Sequence, residues 1–514
     1  MVKIPQEFWI GQRVVCSGHI GTVKYVGPLP STEGSWLGID WDSPLRGKHN
    51  GVYQGVQYFV TKEPTSGSFV REEKVSCGVD VASAIALRYG TNEQDSEKVD
   101  ERLRQVKKAL NAPFIMMVGF EQVNKKMSSF TSLEVVSLKN CNVSSAGAPR
   151  QLESMCPNIR ELDLSCNLLS KWQDVTAITS QFHGLTSLDL SDNRLALPDE
   201  EVTQDKSNIS LTLDDINLNS TNHSWEDVLY CARLWPNIQN LQVALNRIST
   251  LDTPQSNVLH NLRSLDLTGN HIQYWSEVNK LGSLPLLQTL NLSSNKLCDI
   301  TLPENNDLFH SLKYLLLTNN RINEWSHINE LEKLNLHELR IKSNPINEKN
   351  PERWFEMMVA KIGSMKRLNG EEITREERLG AEYIYIRLFG QEWQTSKQDP
   401  DLKAKFLTSH PRYQILVSKH GEAEMSEYKK ANSKLESKLV LLEIKSSHNP
   451  QVLKKKFPLT MNVQKVYNFA KRVFEFETLY LVPTKNRELK IPLDEQLRSL
   501  DFYSLEEGDV IIAE

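Results

Sequence analysis

Apolar residues recur along the middle of this chain with a fixed beat. From residue 133 the pattern Leu-x-x-Leu-x-Leu-x-x-Asn-x-Leu returns nine times, at spacings of 24 to 28 residues. The first copy is Leu133, Val136, Leu138, Cys141 and Val143; the second is Ile159, Leu162, Leu164, Asn167 and Leu169; the ninth is Leu336, Leu339, Ile341, Asn344 and Ile346. The fourth is degenerate, with Thr221 and His223 at its polar and last apolar positions, and it is a place to expect a local kink. A repeat of this length marks a solenoid, in which each unit buries its apolar face only against the next. Alternation within each unit predicts one short parallel strand, leucines inward and the residues between them outward on a concave face. The asparagine is expected to bond to backbone groups of neighbouring turns, forming a ladder.

Other periodicities flank the array. Val14-Val15, Gly21 to Val26, Trp36 to Trp41 and Gln57 to Val60 read as short strands of a small all-β domain. Val99, Leu103, Val106 and Leu110 recur at helical spacing within 92–126, with Asp95 or Ser96 as its cap, and this helix is expected to cover the open end of the array. Asn344-Pro345, Trp354, Leu368 to Gly370, Ile373 and Arg375 to Arg378 suggest a polar cover at the other end, over 347–378. Residues 379–436 are charged and read as helix or linker. Beyond them come strands at Leu439 to Ile444, Lys454 to Leu459, Leu479 to Val482, Leu489 to Ile491 and Asp509 to Ile512. An amphipathic helix carries Val463, Val466, Phe469, Ala470 and Val473. The chain therefore divides into 1–85, 86–130, 131–378, 379–436 and 437–514.

Composition narrows the function. The 514 residues carry a net charge of only −5, which argues against a general nucleic-acid binder. No apolar run approaches the roughly 18 residues of a membrane span, and Met1 to Ile10 lacks the apolar core of a signal peptide. Seven cysteines are scattered without Cys-x-x-Cys or zinc spacing, so a reducing compartment and no metal are expected. No Walker loop, His-Glu-x-x-His or nucleophile elbow is present, so neither an enzyme nor a cofactor is expected.

The chemistry is concentrated in a glycine-flanked loop, Gly47-Lys48-His49-Asn50-Gly51. With Gly-x-x-Gly-x-Val before it, Gly-x-Trp-x-Gly-Ile-x-Trp-Asp leading to it, and Tyr58-Phe59 and Ser68-Phe69-Val70 after it, this stretch resembles a CAP-Gly domain. The usual loop of that family is Gly-Lys-Asn-Asp-Gly; here His49 and Asn50 depart from it. The resemblance implies a groove for acidic C-terminal tails that end in an aromatic ring, such as that of α-tubulin. A terminal carboxylate suits Lys48 and the loop amides, and Trp36, Trp41 and Phe59 are candidate walls for the ring. Residues 1–80 hold eight Lys/Arg and eight Asp/Glu, so any attraction is local to the groove.

The repeat pattern is the leucine-rich-repeat signature. Its outward positions place Glu161, Asp163, Asp189 and Asp215 early, and Tyr314, Arg340 and Lys342 late. A concave face acidic at one end and basic at the other is expected to grip a protein partner. The C-terminal ββαββ order resembles a ubiquitin-like fold, with Lys454 to Lys456 as a solvated face. The whole is read as multidomain: a small all-β CAP-Gly domain, an α/β leucine-rich-repeat solenoid and an α+β ubiquitin-like β-grasp domain. That order resembles the tubulin-folding cofactors. It implies a cytoplasmic, cytoskeleton-associated chaperone that binds α-tubulin. With other tubulin-folding cofactors, such a protein assembles or dissociates the αβ-tubulin heterodimer. An alternative is an adaptor that delivers a client to the proteasome through the ubiquitin-like domain.

Overall fold

A computed structural model describes residues 8–90, 130–205, 209–304, 307–349 and 351–422, and most of 439–514. The helix expected over Val99 to Leu110 lies outside the described residues. Two compact units are present: Met1–Ala381 with Ser409–Pro411, and Glu382–Thr408 with Arg412–Glu514. Among the described residues no helix is long and apolar enough to cross a membrane.

The first unit begins with an antiparallel sheet of β1 (Arg13–Cys16), β2 (His19–Pro28), β3 (Ser35–Trp41) and β6 (Gly67–Arg71), in the order β1-β2-β3-β6. A two-stranded hairpin, β4 (Val52–Tyr53) and β5 (Val56–Gln57), stands beside it. Val14, Val23, Leu37, Ile39 and Trp41 form its small core. Ser76 bridges back to Val15, and three residues later β7 (Val79–Asp80) pairs in parallel with β9 (Val143–Ser145) of the first repeat. Gly78 makes this crossing possible: its φ is +87°, and a Cβ there would lie 2.2 Å from the Asn142 carbonyl oxygen. The helix Val81–Tyr89 follows, capped by Asp80, whose carboxylate accepts the Ser83 N–H at 2.8 Å. Its Val81, Ala82, Ala84 and Ile85 sink into the same core as the repeat leucines. The open end of the array is thus covered by 79–89. The helix runs across residue 85, where the sequence suggested a domain boundary.

The repeats lay down β8 (Val135–Ser137), β10 (Glu161–Asp163), β11 (Ser187–Asp189), β12 (Asp215–Asn217), β13 (Asn240–Gln242), β14 (Ser264–Asp266), β15 (Thr289–Asn291), β16 (Tyr314–Leu316) and β17 (Glu338–Arg340). All pair in parallel with their neighbours, and the cap adds β18 (Arg367–Leu368) and β19 (Glu371–Glu372). Buried asparagines hold the turns together as a ladder. Asn193 Nδ2 donates to the carbonyls of Leu164 (2.8 Å) and Leu190 (3.0 Å), while its Oδ1 accepts the Asn167 N–H. Leaving such buried groups unpaired costs about 1–3 kcal/mol each. At the degenerate fourth repeat no kink interrupts the sheet, and β12 pairs on both sides in the common register. Thr221 Oγ1 takes the ladder position by donating to Leu218 O at 2.8 Å, and His223 Nδ1 packs against it at the same distance. Burial lowers the pKa of His223, which favours its neutral form as a core residue.

The far end is closed by the helix Trp354–Lys361. Arg378 donates to the carbonyls of Val359 and Ile362, which satisfies groups the helix end leaves bare. Lys361 is buried; its Nζ donates to Asn329 Oδ1 (2.7 Å) and Ser409 O (3.0 Å), and burial lowers its pKa to about 8.

In the second unit, Tyr385, Trp393, Phe406 and Tyr413 pack ring against ring, and Glu382 is buried among Arg412, Lys419 and His420. Its last part is a five-stranded mixed sheet ordered β21-β20-β24-β22-β23, formed by β20 (Leu439–Ser446), β21 (Val452–Pro458), β22 (Leu479–Val482), β23 (Ile491–Pro492) and β24 (Val510–Ala513). The helix Val463–Ala470 buries Val463, Val466 and Ala470 in the core of this domain. This is the β-grasp order, with first and last strands parallel at the centre. Of the lysine run, Lys454 pairs with Glu443 (2.5 Å), and Lys455 lies over the Phe469 ring.

Candidate functional site: the glycine loop and the concave repeat face

The loop owes its shape to glycines that let backbone meet backbone. A Cβ on Gly47 would lie 2.3 Å from the Thr65 oxygen, and one on Gly51 1.9 Å from the Phe59 oxygen. Gly51 also has a φ of +95°. Lys48 N–H and His49 N–H both donate to Gly67 O, and Gly67 N–H returns a bond to His49 O at 2.8 Å. This pinning leaves the side chains of Lys48 and Asn50 exposed. His49 turns inward instead. Its Nδ1 accepts the Gly51 N–H at 3.0 Å, so the neutral ring carries its proton on Nε2, and the ring stacks on Phe69 at 5.1 Å. Burial lowers its pKa, which favours this neutral form.

Beside the loop lies a cluster of rings: Tyr25, Tyr53, Tyr58, Phe59 and Phe69, with neighbouring centroids 5.2 to 6.1 Å apart. Gly38 makes room for it, since a Cβ there would meet Phe59 at 2.4 Å. Phe59 is buried as the floor of the cluster, while Tyr25, Tyr53, Tyr58 and Phe69 are half-buried. Trp41 is not a wall. It is 2% exposed in the core, because alternation along β3 turns it inward with Leu37 and Ile39. Trp36 faces outward but makes no ring contact with the cluster; its ring lies under Arg71 at 4.0 Å and its Nε1 donates to Thr32. Sequence reasoning therefore missed Tyr25 and Tyr53, and it placed Tyr58 and Phe69 in the motif without naming them as walls. Their signal was alternation on strands around a glycine.

On the repeats, register brings the acidic residues together. Glu161 and Asp215 flank Ser187 in one outward row, and Asp163 lies directly across from Asp189 in the next. These aspartates also hold the fold. Asp163 accepts the Ser165 N–H (2.9 Å) and the Ser137 hydroxyl (2.7 Å); Asp189 accepts the Ser191 N–H (2.8 Å) and the Asn217 amide (2.9 Å). Asn217, Asp266 and Asn291 cap the N–H two residues on in the same way. Burial pushes the Asp163 carboxyl up, but the hydrogen bonds from Ser165 and Ser137 outweigh it and leave the pKa low. Asp215 is different. Burial raises its pKa, and repulsion from Asp214, Asp189 and Glu161 adds to the rise.

At the late end, Tyr314 is 38% exposed and meets His337 edge-on at 6.5 Å. Arg340 binds the buried Glu338 at 2.7 Å, and Arg367 reaches the same carboxylate at 3.5 Å. Lys342 is exposed. The late end thus mixes Arg340, Lys342 and Arg367 with Glu338 and, on β19, Glu371 and Glu372.

Residues 10–75 match the family model of the CAP-Gly domain. A tubulin-specific chaperone E of Xenopus laevis is 36% identical over 98% of this chain and 97% of its own length. One from Mus musculus is 38% identical over 98% of each. A solution structure of the C-terminal ubiquitin-like domain of mouse tubulin-specific chaperone E aligns at 33% identity, covering 16% of this chain and 91% of that one, with a TM-score of 0.15. At this identity over nearly the whole length, the chain belongs to the tubulin-specific chaperone E family.

Proposed function

We propose that this protein is a non-enzymatic, cytoplasmic chaperone that binds α-tubulin and, with other tubulin-folding cofactors, assembles or dissociates the αβ-tubulin heterodimer. The observation that carries this reading is the pairing of two unlike surfaces on one unit: a loop with an exposed Lys48 beside half-buried rings, and a long concave sheet whose early repeats gather Glu161, Asp163, Asp189 and Asp215. In this reading the loop takes the tail of α-tubulin: Lys48 and the loop amides meet the terminal carboxylate, and the tail's last ring enters the cluster around Phe69. Burying a ring of about 200 Å² contributes at most ~5 kcal/mol. Association costs about 4 kcal/mol or more, so burial of the ring barely offsets it and tail capture by the loop alone is weak. The repeat face supplies the rest of the grip on the folded body, and two modest contacts on one chain reinforce each other through effective concentration.

Affinity capture of α-tubulin, intact and lacking its last residues, tests this reading. Truncation is expected to weaken capture at least tenfold without abolishing it. Equal capture of both forms would remove the groove from the mechanism.

A further inference from the structure

The edge of the solenoid that follows the strands carries an unused feature. The residue after each ladder position forms a column, and in successive repeats this column holds Arg194, Asn222, Arg247, His271, Lys296 and Arg321. The last four occupy adjacent repeats. Backbone bonds keep them in step: His271 N–H to Ile248 O (2.7 Å), Lys296 N–H to Ile272 O (2.9 Å) and Arg321 N–H to Leu297 O (2.8 Å). Arg247, His271 and Arg321 are exposed and Lys296 is half-exposed. Among the described residues none of Arg247, Lys296 and Arg321 has a carboxylate partner. Of the acids in the same loops, Glu277 is held by Lys280 and the Leu251 N–H, Asp299 by the Trp275 N–H and Glu324 by Lys349, while Asp252 is exposed and accepts from Trp225 through its backbone oxygen.

Two further observations say what this column receives. Its first basic member, Arg194, is met by a carboxylate from outside the array, Asp42 of the N-terminal sheet, at 3.3 Å. Beside Arg247, Leu245 is held at φ +59° and is 60% exposed. The same φ recurs at Asp192, Ser220, Ser294 and Asn319, so the backbone belongs to the repeat turn; what sets Leu245 apart is a large apolar side chain left exposed at that position. Gly269 in the next repeat leaves the space in which this side chain lies; a Cβ there would meet Leu245 Cδ2 at 2.5 Å.

We propose that Arg247, His271, Lys296 and Arg321 form a landing strip for an extended acidic peptide, with Leu245 receiving an apolar residue at its end. Three repeat steps of about 4.8 Å span roughly 14 Å, the length of about four extended residues. The strip is distinct from the Gly47–Gly51 loop and does not rest on the identity of the folded partner.

The test uses the full-length protein carrying Lys48→Ala, so that the loop is disabled. The probe is a fluorescent decapeptide of alternating glutamate and glycine, amidated so that it lacks a terminal carboxylate, with and without one added terminal leucine. Binding is expected to weaken severalfold as salt rises from low to physiological. Adding Arg247→Gln, Lys296→Gln and Arg321→Gln is expected to weaken it at least tenfold with an unchanged melting temperature. Leu245→Asn is expected to remove only the gain that the leucine brings. Absence of binding by the Lys48→Ala protein, or equal affinity after the triple substitution, overturns the proposal.

Discussion

The glycine loop and the concave repeat face divide the work between backbone and side chain in opposite ways. In the loop, shape belongs to glycines and main-chain bonds, so Lys48 and Asn50 stand outside with no structural duty. On the repeats, the aspartates that face outward also cap the turn after their own strand. One surface can therefore lose its chemistry without losing its fold. On the other, a careless substitution removes both, and only an isostere separates them. Asn217 and Asn291 already show the isostere at work in their own repeats.

The largest effect that would test this contrast lies in the loop. Gly51→Ala places a methyl on the Phe59 oxygen at a φ of +95°, and it is expected to destabilise the N-terminal sheet by at least about 3 kcal/mol. Lys48→Ala should change stability by less than about 0.5 kcal/mol while weakening tail binding. Denaturant unfolding and peptide titration read both. A Lys48→Ala protein as unstable as Gly51→Ala would break the separation of shape from chemistry.

Next in size is Asp189. Replacement by leucine removes the acceptor for Ser191 N–H and for the Asn217 amide, a loss of about 1–3 kcal/mol. Asp189→Asn keeps the cap to Ser191 but sets its amide against that of Asn217, whose oxygen is held by the Asn219 N–H, so it should recover only part of that loss while weakening a basic partner. Asp215→Asn is expected to reverse the usual sign. Relief from Asp214, Asp189 and Glu161 should stabilise the array by about 0.5 kcal/mol and still cost affinity. A variant at Asp215 that loses stability would show that this residue, too, is structural.

The smallest expected effect is a pH dependence in the loop. The pKa of His49 is lowered below its ordinary 6.5, so the unfolded chain binds the proton more readily than the folded loop. The stabilisation from neutral His49 is therefore present above about pH 6.5 and is lost as pH falls through the lowered value. Protonation of Nδ1 also removes the acceptor for Gly51 N–H. Hydrogen exchange of the loop amides should quicken below pH 6.5 relative to a His49→Asn control. Equal exchange in the two proteins would show that the ring is a spectator.

The repeats were legible because a solenoid writes its core at a fixed period: every leucine of the pattern is buried, and even Thr221 finds the ladder. The helix Val81–Tyr89 was hidden because its core residues are short and partly adjacent (Val81, Ala82, Ala84 and Ile85) and lack a long apolar stripe. The loop motif was legible, but its walls were not. Trp36 and Trp41 look alike in sequence, and only the sheet decides that Trp41 is core. The double role of the concave aspartates was also out of reach. An Asp that caps a turn and an Asp that waits for a partner occupy the same outward position.

The crossing at Gly78 has a consequence in length. Two residues, Cys77 and Gly78, join the bridged Ser76 to β7, which pairs with the first repeat, and Asp42 with Arg194 ties the two parts again. The distance from the loop to the concave sheet is therefore a fixed quantity of the molecule, which makes the pair a ruler. A partner held at both places must carry a tail whose span from anchor to body matches that distance. One too short cannot reach, and one too long gains little from the second contact. Selectivity can thus be set by how far apart two ordinary features stand.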